Sequence, residues 1–94
     1  MNMSKIEKKV VVANKKGMHA RPAAFLVQLA EKFNVTLTIV KGDEKVNGKS
    51  IMGILMLGAQ YNTPLTLEVD GDEAVQAMAA FEDFFSKQEE EFIQ

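Results

Sequence analysis

Segments with the two-residue period of β-strands alternate with segments of helical period along this chain. Apolar and polar residues alternate over 35–39 and again over 65–69, as in strands with one buried face. Apolar residues instead recur at i, i+3, i+4 and i+7 over 23–33, which is typical of a helix packed on a core. With the elements whose bounds are given next, this alternation has the order β-α-β-β-α-β-α, which predicts an α+β fold.

The bounds of each predicted element follow from turn residues and helix-start residues. The elements are a strand Lys5 to Ala13, a helix from about Ala20 to Lys32, a strand over 35–39, a short strand around Lys45 to Asn47, a short helix within Ser50 to Leu57, a strand from Pro64 to Asp70, and a helix that starts near Asp72 with Ala74, Met78, Phe81 and Phe85 inward. We expect one domain over residues 1–94, with a four-stranded, mainly antiparallel sheet, three helices on one face, and the other face in solvent.

Composition excludes several classes of protein. Hydrophobic content of 47% with 26% charged residues argues against disorder, and a chain without cysteine has no disulfide scaffold. A net charge of −2 disfavours nucleic-acid binding. The N-terminus lacks a secretory apolar core, and no apolar run approaches the ~20 residues of a membrane span. We therefore expect a cytoplasmic protein without membrane insertion.

Charge is distributed unevenly along the chain. Residues 1–49 hold ten Lys or Arg against four Asp or Glu, a balance of +6, whereas residues 50–94 hold one against nine, a balance of −8. The basic half contains Lys15, Lys16 and Arg21, which would attract phosphate or an acidic partner surface. The acidic run Glu89 to Glu91 is expected to be a solvated tail.

The single histidine, His19, lies in the heptapeptide GMHARPA, at a predicted helix start. Pro22 is tolerated in a first helical turn, which places His19 at or beside the N-cap. Unpaired amides from Ala20 onward and the positive helix end favour a bound anion, while Gly17 lets the loop approach closely. Arg21 can donate several hydrogen bonds to phosphate, and a neutral imidazole is a nucleophile. We hypothesise that His19 accepts and passes on a phosphoryl group.

Other interpretations of His19 stay open from the residues alone. A lone histidine is commonly a solvated or capping residue. A metal site is weakly supported, since one histidine without cysteine leaves only carboxylates as further ligands, and we predict neither a metal nor a cofactor. A Ser-His-Asp arrangement is not excluded, although no serine lies in a nucleophile elbow.

A second motif, GKSIMG over 48–53, begins the predicted short helix. Ser50 is suited to the N-cap, and its hydroxyl is also a candidate for regulatory phosphorylation. Ile51, Met52 and Leu55 belong either to the core or, in part, to an exposed apolar surface that docks partners.

With both motifs considered, the chain resembles the HPr family of histidine-containing phosphocarrier proteins from about Lys5 to Phe85. The resemblance implies an open-faced β-sandwich in which His19 takes phosphate on Nδ1 from Enzyme I and donates it to IIA domains of sugar permeases. It implies that Arg21 stabilises the phosphate and that HPr kinase/phosphorylase modifies Ser50 in some bacteria. Its docking positions would be Ala20, Ala24, Ile51, Met52 and Leu55.

Lys16 marks a departure from the sugar-type members, many of which have a small polar residue there. A lysine resembles the nitrogen-related branch, whereas the KSIMG segment favours the sugar-type branch. The leading hypothesis is a monomeric phosphoryl carrier rather than a turnover enzyme. The alternatives are the nitrogen-related carrier, or a regulatory binding module that acts through Ser50 and the apolar surface. A small catalytic domain is the least supported.

Overall fold

A computed structural model describes residues 5–92 of this chain. Its elements, in chain order, are β1 (Lys5–Val11), α1 (Ala20–Ala30), β2 (Thr36–Lys41), β3 (Glu44–Asn47), α2 (Ile51–Leu57), β4 (Pro64–Asp70), α3 (Ala74–Phe85) and a 3₁₀ turn (Glu89–Glu91).

The four strands form one antiparallel sheet in the order β1-β4-β2-β3. Val69 in β4 lies opposite Ile6 in β1 and Leu37 in β2, so apolar residues of neighbouring strands share one face. The predicted α+β class, the element order and the open sheet with three helices are confirmed.

The core lies between the apolar face of the sheet and the helices. Leu26 of α1, Leu67 of β4 and Phe81 of α3 are all fully buried. The four residues of α3 that helical spacing placed inward, Ala74, Met78, Phe81 and Phe85, are buried as predicted. Burial of such side chains contributes about 1.5–3 kcal/mol each and fixes how α1 sits on the sheet.

Two elements end earlier than predicted, for reasons of backbone bonding. Helix α1 stops at Ala30 rather than Lys32, because the amides of Lys32 and Phe33 bond carbonyls three residues back in a tighter turn. Strand β1 ends at Val11 rather than Ala13, because the amide of Ala13 bonds the carbonyl of Phe85 in α3 instead of a neighbouring strand.

The prediction of a solvated acidic tail is wrong for Glu89. We call residues 88–92 the C-terminal segment; within it Glu89 is only 6% exposed, while Glu90 and Glu91 are exposed. Phe92 explains the difference, because its ring stacks on Phe84 at 4.6 Å between centroids and draws the segment onto the domain.

Candidate functional site

His19 lies at the N-terminus of α1, where its backbone is extended (φ −99°, ψ −166°) as an N-cap residue requires. Its side chain makes no capping hydrogen bond and is 45% exposed. The capping role considered from sequence is thus played by the His19 backbone, which accepts from Ala23 N–H at 3.0 Å. The imidazole itself is accessible from solvent.

The loop before His19 turns tightly against the segment that follows α2. The amide of Gly17 donates to Asn14 C=O at 2.9 Å, and the amide of Met18 donates to Ala59 C=O at 2.9 Å. Gly17 has φ +76°, and a Cβ there would lie 3.2 Å from the carbonyl oxygen of Ala59. Glycine therefore meets both a positive φ and a close backbone approach.

The first turn of α1 presents the positive end of a helix beside the imidazole. The amides of Ala20 and Arg21 precede the first intrahelical bond, so the helix itself offers them no carbonyl partner. Pro22, buried in this turn, has no N–H to satisfy. An anion held here gains about 0.3–1 kcal/mol from the helix end.

The carboxylate of Glu89 contacts His19 directly. Oε1 of Glu89 lies 2.6 Å from Nε2 of His19, and Nδ2 of Asn14 donates to the same oxygen at 3.4 Å. The hydrogen bond with His19 is the main reason that the pKa of the Glu89 carboxyl falls below its ordinary value of 4.5; partial desolvation opposes that shift, and Asn14 adds to it. Glu89 is therefore an ionised acceptor at neutral pH.

Arg21 extends from the first turn toward the same carboxylate. Its Nη1 lies 3.6 Å from Oε2 of Glu89, and its side chain is 59% exposed. At this distance, and with the Arg21 side chain largely in solvent, the pair is weak. The guanidinium can therefore leave Glu89 for a phosphate with little loss.

A shallow surface depression beside His19 has a basic rim. It is lined by residues of the His19 loop and of the segment after α2, namely Lys15, Lys16, Gly17, Met18, His19, Gly58, Ala59, Gln60 and Tyr61. Two lysines in the lining of the same depression as His19 favour an anionic ligand. Within residues 5–92, no cluster of three or more His, Cys, Asp or Glu is arranged to hold a metal ion.

The second motif forms α2 as expected. Ser50 is its N-cap and accepts from Gly53 N–H at 3.0 Å, and Gly58 ends the helix in the left-handed conformation at φ +63°. The side chains of Ile51 and Met52 are exposed, at 41% and 65%, so the apolar residues of α2 are not all core.

The remaining predicted docking positions differ in their exposure. Ala20 is exposed, and Ala24 and Leu55 are half-buried. Met56, which sequence reasoning did not place in the docking set, is the most exposed of the apolar residues on α2, at 74%. Helix α2 is followed by Gly58 and Ala59, which line the depression beside His19.

Sequence reasoning missed Asn14, Gln88 and Glu89. Asn14 is buried, donates to Gly17 C=O at 3.0 Å and accepts from the amide of Glu89 at 3.1 Å. The one local signal was Phe92, an aromatic residue after the acidic run, whose burial would bring that run onto the domain. The contact of Glu89 with His19 spans 70 residues and has no periodic signature.

None of the helices in the described part of the chain has the length and apolar character needed to span a membrane. This finding agrees with the element lengths, since α3, the longest helix, has 12 residues.

Comparisons with known proteins agree with the fold and identify the family. Residues 6–87 match the family model described as the PTS HPr component phosphorylation site. The phosphocarrier protein HPr of Treponema pallidum is 41% identical over 86 residues, covering 92% of this chain and 98% of that protein.

Solved structures give the same result. A phosphocarrier protein HPr from Bacillus anthracis superposes with a TM-score of 0.84 at 36% identity, covering 88% of this chain and 99% of that one. An HPr from Thermoanaerobacter tengcongensis superposes with a TM-score of 0.81 at 41% identity, covering 85% and 90%. With the sheet order, the exposed imidazole at a helix N-terminus and these matches in agreement, this chain belongs to the HPr family of phosphocarrier proteins of the phosphotransferase system.

Proposed function

We propose that His19 is the phosphoryl acceptor of this phosphocarrier, receiving the group from Enzyme I and passing it to IIA domains of sugar permeases. The observation that carries the proposal is an exposed imidazole at the start of α1, next to amides that lack helical partners. Nε2 is engaged by Glu89, so Nδ1 is the ring nitrogen proposed to attack.

The transfer exchanges one bond for another. The Nδ1 lone pair forms a P–N bond while the bond between phosphorus and the donor breaks, and the donor keeps that electron pair. The reverse exchange delivers the group to the acceptor protein. Neither exchange consumes water, so the phosphoryl group passes from protein to protein.

Arg21 and the helix start are proposed to hold the transferred group. The exposed guanidinium can donate two parallel hydrogen bonds to phosphate oxygens, at the cost only of its weak 3.6 Å pair with Glu89. The amides of Ala20 and Arg21 supply further donors, and Gly17 keeps the loop close to them. These donors stabilise negative charge where it arrives.

Partner docking is proposed for the apolar surface formed by Ala20, Ala24, Ile51, Met52 and Leu55, to which the exposed Met56 adds area. Flexible methionine side chains adapt to more than one partner, as a carrier between two proteins requires. A small surface of this kind suits brief complexes.

Ser50 is proposed as a regulatory site for HPr kinase/phosphorylase. Its hydroxyl sits at the start of α2, directly before the exposed Ile51 and Met52. A phosphoryl group there would bring up to two negative charges beside an apolar docking surface and weaken binding without altering the fold.

The nitrogen-related branch is the second candidate, favoured by Lys16. Its side chain lines the depression beside His19, where sugar-type members commonly have a small polar residue. Transfer assays with sugar-type and nitrogen-type IIA domains in parallel separate the two pathways.

The proposal is tested by intact mass after incubation with phosphoenolpyruvate and Enzyme I. We expect one added phosphoryl group that is lost in mild acid, as a phosphorus–nitrogen bond is. The variant His19→Ala should gain none, while the matched control Ser50→Ala should gain it as the unaltered chain does. An acid-stable adduct, or transfer to His19→Ala, would refute the assignment.

A further inference from the structure

The C-terminal segment places a carboxylate against the histidine from outside the residues that match the family model. That match ends at residue 87, whereas Glu89 reaches His19 Nε2 at 2.6 Å. Its side chain is 9% exposed, although it carries a charge. Charged groups are seldom buried to this degree unless they are paired.

Several contacts hold the segment in place. The side chain of Gln88 donates to Ala13 C=O at 2.6 Å and accepts from Lys15 N–H at 3.0 Å. The amide of Glu89 donates to Asn14 Oδ1 at 3.1 Å. Phe92 stacks on Phe84 at 4.6 Å. The Glu89 carboxylate is therefore fixed by polar contacts before it and an aromatic contact after it.

The contact decides which ring nitrogen carries the proton. An ionised carboxylate only accepts hydrogen bonds, so Nε2 of His19 must be the donor. A neutral imidazole has a single N–H, and the lone pair of Nδ1 is then free. When Nδ1 forms a bond to phosphorus the ring becomes more positive, and a fixed carboxylate at Nε2 stabilises that charge.

We infer that Glu89 is a positioning residue for phosphoryl transfer: it keeps the proton on Nε2 and thereby presents the Nδ1 lone pair to the incoming phosphorus. The inference rests on the proposed function of His19. The Nε2 proton stays in its hydrogen bond with Glu89 throughout, so the transfer itself needs no other proton acceptor.

The Arg21 guanidinium can pair first with the Glu89 carboxylate and then with the transferred phosphoryl group. Its Nη1 is 3.6 Å from Glu89 Oε2 before transfer, and its exposed side chain is free to turn to the phosphoryl group afterwards. Glu89 then keeps its partners on the other side, His19 and Asn14. The opposite effect, in which the carboxylate repels the incoming phosphoryl group, predicts faster transfer when Glu89 is removed.

The tautomer is measured by ¹⁵N NMR of histidine-labelled protein without Enzyme I. Because the chain has one histidine, the spectrum reports His19 alone. We expect the Nε2–H form to dominate in the unaltered chain and in the control Glu90→Ala, which alters an exposed neighbour. Glu89→Ala should give a mixture of the two tautomers, and an unchanged spectrum would overturn the inference.

The effect on transfer is measured as the initial rate of phosphorylation by Enzyme I. Because Glu89→Ala removes a hydrogen bond to a charged group at a ring that is partly exposed, we expect a rate about tenfold slower. The rate of Glu89→Gln should be intermediate. Asn14 Nδ2 favours the orientation in which the amide oxygen of the new side chain faces His19 Nε2, but the negative charge is lost.

The two proposals fail in different ways. If the unaltered chain is not phosphorylated on His19, the proposed function is wrong, whatever the tautomer. If it is phosphorylated but Glu89→Ala reacts as fast or faster, only the positioning role is wrong. Amide shifts of Gln88 and Phe92 in Glu89→Gln show whether the segment stays docked. A slowed rate with the segment docked supports positioning.

Discussion

Truncating Phe92 should release Glu89 from His19 without altering either residue. Phe92 is 9% exposed and makes two aromatic contacts, with Phe84 at 4.6 Å and with Phe25 at 5.6 Å between centroids. Such pairs contribute about 0.5–1.5 kcal/mol each, so the loss of both ring pairs in Phe92→Ala removes about 2 kcal/mol of segment docking, before the loss of buried area is counted. That loss raises the ratio of undocked to docked segment about 30-fold.

The assay is hydrogen exchange at the amide of Glu89, which donates to Asn14 Oδ1 when the segment is docked. Exchange that follows local opening should be about 30-fold faster in Phe92→Ala. The tautomer mixture of His19 should move toward that of Glu89→Ala. The matched control is Val75→Ala, a truncation of an apolar side chain that is 72% exposed on α3.

Unchanged hydrogen exchange at the Glu89 amide in Phe92→Ala would contradict the role of Phe92 in docking the C-terminal segment. It would mean that the polar contacts of Gln88 and Asn14 hold the segment alone, and that Phe92 merely covers Phe84. A change of the same size in Val75→Ala would show that the effect is not specific to the segment.

Four further predictions concern Ser50, Glu89, Met52 and Arg21. Ser50→Ala should lose about 1 kcal/mol of stability, which lowers Tm by about 4–8 °C in thermal unfolding, whereas Ser50→Asp keeps a helix cap and the original Tm. Equal Tm values for the unaltered chain and both variants would contradict the capping role. Because folding lowers the pKa of Glu89, the stability that this carboxylate contributes is complete above about pH 4.5 and is lost as the pH falls through the lowered pKa. Glu89→Gln should lack this part of the pH dependence of the free energy of unfolding, measured by denaturant titration. Parallel pH profiles for the two chains would contradict the contribution of Glu89. Met52→Asp should weaken Enzyme I binding about tenfold by calorimetry while Val75→Asp leaves it unchanged, and equal effects would remove Met52 from the docking surface. Arg21→Glu should slow phosphorylation at least tenfold with a Tm change of a few degrees at most, and a proportionate loss of both would make the arginine structural.

Local pattern was sufficient for most of the fold. Alternation in β2 and β4 and helical spacing in α1 and α3 reflect burial on one side, which a sequence records directly. Ser50 and Gly58 bounded α2 through capping chemistry that acts within four residues. Ends of elements were less predictable, because α1 gives way to a tighter turn at the amides of Lys32 and Phe33.

The histidine and its helix start were likewise local features. Gly17 indicated the turn and Pro22 indicated the N-terminus of α1, so the exposed position of His19 could be predicted from the sequence. Glu89 was not, because three consecutive acidic residues most often face solvent, and its burial depends on Phe92 meeting Phe84. A contact made by two segments 70 residues apart is decided by the assembled core.

Nδ1 of His19 is proposed to carry the phosphoryl group while Nε2 remains protonated against Glu89. The most direct measurement is the one-bond coupling between ³¹P and ¹⁵N in the phosphorylated protein, with ¹⁵N label in the single histidine. We expect coupling to Nδ1 and a proton retained on Nε2. Coupling to Nε2, or phosphorus attached to no histidine nitrogen, would contradict it.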